Sequence, residues 1–361
     1  MSSANLPSTT TTEAGFTVQP PMRTPSAGAR NANLDVLRVL ACLAVVLLHV
    51  SGRTIYLYGE ISYLSWNAAN FISSSTRWCV PEFVMISGAL LLTRPIPDPI
   101  SFVRRRFGRI AVPIIVWSAV YLWWRTYWYG ESFGASAVAL ELFLGFPYYH
   151  LYFLFMIAGL YVFTPTVAAV VRSLPRRQAL AFAWLALATA GITMTVQGLN
   201  GNALTQFVPY LGYFALGALL LESRVPPSIS GSLFVAGILV TAGLTHWTAS
   251  LAGINGPWGM YFYSYFNPTV LIMAPALFCC VTALRLPRTL MAAAERLAPL
   301  TLGVFLIHPL VLETLRALYA RFAPPLLWPV LDLPVTFVLT LLLATACVTV
   351  IRHIPLLRYS V

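Results

Sequence analysis

Ten apolar stretches, most of them near or above the ~18 to 20 residues that cross the hydrocarbon of a bilayer, constrain this chain more than any other feature. They fall at about 34–52, 71–93, 110–128, 150–171, 179–196, 207–221, 232–251, 261–284, 300–319 and 334–351. A soluble fold would break such runs with helical or strand periodicity and cover itself with charge. Here only 9% of residues are charged, against roughly 25% in an ordinary soluble domain. The expectation is an all-α, polytopic integral membrane protein of about ten transmembrane helices. Ser73, Ser74, Ser75 and Arg77 interrupt the second stretch and Pro81 should kink it. The sixth stretch is short.

Every one of the 22 basic residues is arginine, and the net charge is +11. Spread over short loops between apolar stretches, these arginines fit the positive-inside rule and not a nucleic-acid face. With the N-terminus inside, sixteen fall in inner segments, and the outer face holds Arg53, Arg77 and Arg321. That asymmetry predicts both termini in the cytoplasm. Residues 1–30, rich in Ser, Thr, Pro and Ala, read as a disordered cytoplasmic tail, and 31–361 as the membrane domain. No internal repeat is visible, which weakens a transporter built from inverted halves. The five cysteines lack metal-type spacing such as a paired C-x-x-C, so no metal is expected.

The first stretch holds Asp35, Arg38 and His49, where a charge at mid-membrane costs roughly 2.5 to 3.5 kcal/mol on insertion scales. Arg38 and His49 are 11 residues apart, which puts them on one helical face ~16 Å apart along the axis. Arg38 could snorkel or pair with Asp35, and His49 could be a packed polar residue bonded to a neighbouring helix. Shared face and membrane depth favour a functional role instead, because imidazole accepts and returns a proton near neutral pH.

In the second stretch, Glu82 and Ser87 lie at membrane depth. Ser87 suits helix packing, whereas a lone carboxylate in lipid must be protonated or find a cationic or His partner. The inner loop that follows carries Arg104, Arg105, Arg106 and Arg109, which either serve topology or clamp a pyrophosphate and 3'-phosphate through planar guanidinium groups. His150 begins the fourth stretch and His308 lies inside the ninth, either one structural or substrate-binding. Aromatic residues crowd the outer face, among them Trp123, Trp124, Tyr148, Tyr149 and Tyr152, as an interfacial belt or as a platform for stacking sugar.

Together these residues carry a resemblance. The R-x10-H frame of Arg38 and His49, the V-P-x-F-x-M-I-S-G stretch from Val80 to Gly88, the R-x-x-R of Arg106 and Arg109, the Y-H-L-Y-F stretch and the late G-V-F-L-I-H-P resemble the membrane enzymes of acyltransferase family 3. Within that family the chain is most similar to the branch that includes the enterobacterial common antigen O-acetyltransferase. It departs at Glu82, where an apolar residue is usual, and at Tyr152, where Trp is common.

The resemblance implies acetyl-CoA or another acyl-CoA as donor on the cytoplasmic side, and an acceptor hydroxyl on an extracytoplasmic sugar or glycan, at the plasma (inner) membrane of a bacterium. It implies His49 and Arg38 as the catalytic pair and Arg106 with Arg109 as contacts to CoA. His49 would act as general base or relay the acyl group covalently, while Arg38 stabilises charge on the thioester oxygen. Glu82 and Ser87 are further candidates for catalytic residues, and His150, His308 and Tyr152 are candidates for substrate binding. Membrane lipid is the surrounding partner; nucleic acid is not expected. The chief rival is a transporter or flippase of a glycan or lipid, and a third class is a membrane scaffold that only binds one.

Overall fold

The computed structural model describes residues 32–197, 201–256, 258–322 and 329–361. The tail expected at residues 1–30 lies outside them. Every regular element among the described residues is helical. The helices are α1 (Ala32–Ile55), α2 (Tyr63–Thr76), α3 (Cys79–Leu91), α4 (Pro99–Tyr129), α5 (Ala135–Leu144), α6 (Tyr152–Ser173) and α7 (Arg176–Gln197). They continue with α8 (Leu211–Leu220), α9 (Pro227–Ala252), α10 (Pro268–Ala283), α11 (Arg288–Leu297), α12 (Thr301–Phe322) and α13 (Pro329–His353).

Eight of the ten apolar stretches fold as helices long and apolar enough to cross a bilayer. The stretch at 71–93 instead breaks into α2 and α3, and the one at 207–221 forms the short α8 after a single 3-10 turn, Val208–Tyr210. The break falls at Arg77 and Trp78, ahead of the proline that was expected to kink the helix. Pro81 sits in the first turn of α3, where its missing N–H leaves no helical bond unmade.

The two short elements pack on each other inside the bundle, with glycine at both contacts. A Cβ at Gly88 would overlap the carbonyl oxygen of Phe214, and one at Gly217 would overlap that of Met85. Close backbone approach through small residues is how helices associate where lipid removes the hydrophobic drive. Around this pair, α1 is the most enclosed span and packs against α2, α3, α10, α11, α12 and α13. Helices α7, α9 and α13 turn most of their apolar surface outward, as Leu185, Leu239 and Leu342 do.

Local sequence sets the ends. Asp98 caps α4, its carboxylate accepting from the amides of Ile100 (3.1 Å) and Ser101 (3.3 Å), with Pro99 next and a left-handed Gly130 closing the helix. Hydrogen bonds from Ser101, side chain first, hold the Asp98 carboxyl below its ordinary range. Asn33 Nδ2 donates to the carbonyls of Val281 (2.9 Å) and Leu284 (3.0 Å), tying the start of α1 to the frayed end of α10. The α4–α6 connection holds an unanticipated helix, α5. Arg125 fastens it by ion pairs to Glu131 (2.7 Å) and Glu141 (3.0 Å) and a bond to the Pro147 carbonyl (3.1 Å).

Candidate functional site

Proline explains how one histidine is aimed. Pro309 has no N–H, so the carbonyl of Phe305, one turn earlier in α12, loses its helical partner. His308 Nδ1 lies 2.8 Å from that carbonyl and 3.2 Å from the carbonyl of Val304. A carbonyl only accepts, so Nδ1 carries the proton and Nε2 of the neutral ring presents a lone pair. That Nε2 is buried without a hydrogen-bond partner.

His150 follows the same logic. It lies in the turn just before α6, with Nε2 3.3 Å from the carbonyl of Leu306, which also accepts from the Tyr121 hydroxyl at 2.7 Å. Its Nε2 is therefore the donor, and its buried Nδ1 is left bare. His49, late in α1, makes no hydrogen bond through its ring among the described residues. It stacks on His308 (centroids 5.2 Å apart, planes at 29°) and tilts against Tyr149 (4.9 Å). The rings of His150 and His308 are 5.7 Å apart.

His49 and His150 line a cavity of about 30 Å³ with Val45, Cys79, Val80, Tyr152, Phe153, Tyr265 and Phe305. That is room for a water or a small reacting group. Tyr152 is thus at the same place as the histidines, and the hydroxyls of Tyr210 and Tyr265 gather near its own. The charges that reach His49 come from Arg77 and Arg316. Arg316 Nη2 donates to the backbone carbonyls of His49 (3.2 Å) and Val50 (3.1 Å), while its Nη1 pairs with Glu313 at 2.8 Å. This pair fixes α12 to α1 at the level of the histidine.

The other expected residues lie elsewhere. Arg38 pairs with Asp35 at 3.1 Å near the opposite end of α1, ~16 Å from His49 by helical rise. Its charge, with those of Arg106 and Arg109, reaches the half-buried Tyr161, so the three guanidinium groups lie towards the same end of the bundle. Arg106 is half-buried and sits over the Phe102 ring at 5.7 Å, whereas Arg109 is exposed. Glu82 is fully buried, does not line the cavity, and has neither carboxylate oxygen hydrogen-bonded. Ser87 Oγ donates to the Phe83 carbonyl of its own helix at 2.8 Å, the arrangement of a packed serine.

Two opposed ends of one span are therefore equipped, a histidine-lined cavity at one and an arginine cluster at the other. The profile of the acyltransferase 3 family, described as an acyltransferase domain, matches residues 31–353. The chain belongs to the acyltransferase 3 family. Comparison with the curated proteins and with the solved structures gave no match. Membership accords with a multi-pass bundle of apolar helices. Among the described residues no cluster of three or more His, Cys, Asp or Glu could hold a metal ion.

Arg316 and Glu313 are not among the residues singled out from the sequence, and Tyr149 stands there only as part of an interfacial belt or a sugar-stacking platform. The first two were detectable, because any charge inside the 300–319 stretch breaks the rule that lipid-facing spans carry none. Tyr149 carries no such signal; only its tilted ring contact with His49 gives it a role.

Proposed function

We propose that this chain is a plasma (inner) membrane O-acyltransferase of a bacterium, with both termini in the cytoplasm. It moves an acetyl or other short acyl group from cytoplasmic acyl-CoA to a hydroxyl of a cell-envelope glycan or lipid-linked sugar. The resemblance to the branch containing the enterobacterial common antigen O-acetyltransferase supplies the chemical precedent for this reading. The observation that carries this reading is a cavity among apolar helices lined by His49 and His150, with His308 packed against both rings and a nitrogen lone pair left open on His150 and on His308.

In this reading the phosphates of CoA rest on Arg38, Arg106 and Arg109, and the pantetheine arm runs along α1 to bring the thioester to His49. Guanidinium groups suit phosphate because their planar forks donate bidentately. A ring nitrogen of His49 takes the proton of the acceptor hydroxyl as its oxygen attacks the thioester carbon, and returns that proton to the departing CoA thiolate. His308 stacks on His49 and holds its plane, and His150 with Tyr152 offers hydrogen-bonding groups to the acceptor. Arg38 serves the donor phosphates here, since ~16 Å of helix separates it from the transferring carbonyl.

A flippase would share the broken α2–α3 span, because discontinuous helices are a transporter device. Purified protein in detergent separates the two. Label passing from acyl-CoA to a soluble glycan acceptor without any membrane supports the enzyme, and lipid or glycan translocation with no covalent transfer supports the flippase.

A further inference from the structure

The break between α2 and α3 holds a cation that the mechanism so far leaves unused. Arg77 is only 9% exposed, and no carboxylate pairs with it among the described residues. Its guanidinium lies 3.9 Å above the centre of the Tyr263 ring and donates to Ser73 Oγ, while its buried Nε has no hydrogen-bond partner. The seat is built from several elements. Tyr263 donates to Asn70 Oδ1 at 2.7 Å, and Asn70 Nδ2 donates to the Ala242 carbonyl of α9 at 2.9 Å. An arginine without a counter-ion at membrane depth is expensive, and such residues mark places where charge is handled.

What lies beside it gives the charge a use. Two residues on, Cys79 and Val80 open α3 and line the cavity that holds His49 and the bare Nδ1 of His150. A helix N-terminus carries roughly half a positive charge. Arg77 itself stands just behind that wall, two residues before Cys79, and its charge is among those that reach His49, so a full cation and a helix dipole back the cavity into which the acyl carbonyl must come.

We propose that Arg77 and the N-terminal end of α3 form the oxyanion site of the transfer, taking the carbonyl oxygen of the acyl thioester as it becomes tetrahedral. As the acceptor oxygen bonds to the thioester carbon and His49 takes its proton, the carbonyl π pair moves onto oxygen, and Arg77 with the first turn of α3 stabilises the charge. When C=O re-forms, the C–S bond breaks and the CoA thiolate leaves with the proton from His49. Donors fixed in place before reaction stabilise that charge without reorganisation, and removing one typically costs about 10²–10³ in kcat.

The test is steady-state acyl transfer by the full chain with Arg77→Gln, Arg77→Lys and Ser73→Ala, each checked for a monodisperse elution profile. Arg77→Gln should lose about 10²-fold or more in kcat, with KM for acyl-CoA held within about threefold because the phosphates bind at the far end of α1. Arg77→Lys, which keeps the charge but not the fork, should lose about tenfold. Ser73→Ala should fall measurably in kcat alone. Turnover of Arg77→Gln within twofold of wild type overturns the oxyanion site. If that variant does not fold, unchanged kcat in both Arg77→Lys and Ser73→Ala overturns it equally. Because this inference rests on the acyl-transfer reading, His49→Ala is assayed alongside. An active His49→Ala removes that reading, whereas an inactive one beside a fully active Arg77→Gln removes the oxyanion site alone.

Discussion

His308 and Pro309 work as one unit, in which a proline removes a donor from the helix and the neighbouring imidazole fills the place. Pro309→Ala restores an N–H at residue 309 that competes for the Phe305 carbonyl, now bonded at 2.8 Å by Nδ1 of His308. A net hydrogen bond is worth about 0.5–1.5 kcal/mol, so kcat should fall about two- to tenfold while thermal stability holds or rises. An unchanged kcat would separate the orientation of His308 from the chemistry. At the other end of α1, Arg106→Ala and Arg109→Ala should each weaken acyl-CoA binding about ten- to a hundredfold, the worth of a charge-assisted bond to phosphate. Calorimetry on the purified variants over a range of salt measures this directly. Unaltered affinity in both would leave that segment as a topological signal.

Among the elements, the packing of α3 on α8 is the contact least able to yield. At Gly88 and at Gly217 the atoms a new methyl would strike are backbone carbonyls, which cannot rotate aside as a side chain can. Gly88→Ala and Gly217→Ala should each destabilise by about 1–3 kcal/mol or more, seen as a lower melting temperature in detergent. Gly52→Ala in α1 is the control, because a Cβ there meets nothing within 4 Å and alanine favours a helix interior by roughly 1 kcal/mol. Wild-type stability in both of the first two variants would show that α3 and α8 can separate without cost. These two short helices also mark what hydropathy could not resolve. An apolar stretch reads alike whether it crosses lipid or is enclosed by other helices, and the arginine at the break is seated on Tyr263, far along the chain. The ten-residue α5 and α11 escaped for a related reason, since both are too short to register as spans.

For the whole molecule, the class of fold was legible because lipid imposes one demand on sequence, long apolar helices, and eight of the ten stretches met it. The arginine asymmetry predicts cytoplasmic termini, and reporter fusions at the C-terminus and in the connection between α5 and α6 should report opposite faces. Like signals at both positions would contradict that topology. His49 was legible from its depth and its frame with Arg38, but its partners were not. Nothing in helical periodicity says that His150, on another element, lines the same cavity, or that His308 packs against both rings. Acyl transfer at this site requires His49 to accept and return a proton in that cavity. The most direct test is the transfer of labelled acetyl from acetyl-CoA to envelope glycan by purified wild-type protein and by His49→Ala in proteoliposomes, with folding checked by melting temperature. The prediction is acyl-CoA-dependent labelling by the wild type and loss of about 10²–10⁴ in rate for a variant that melts like it. Wild-type turnover by His49→Ala would contradict it.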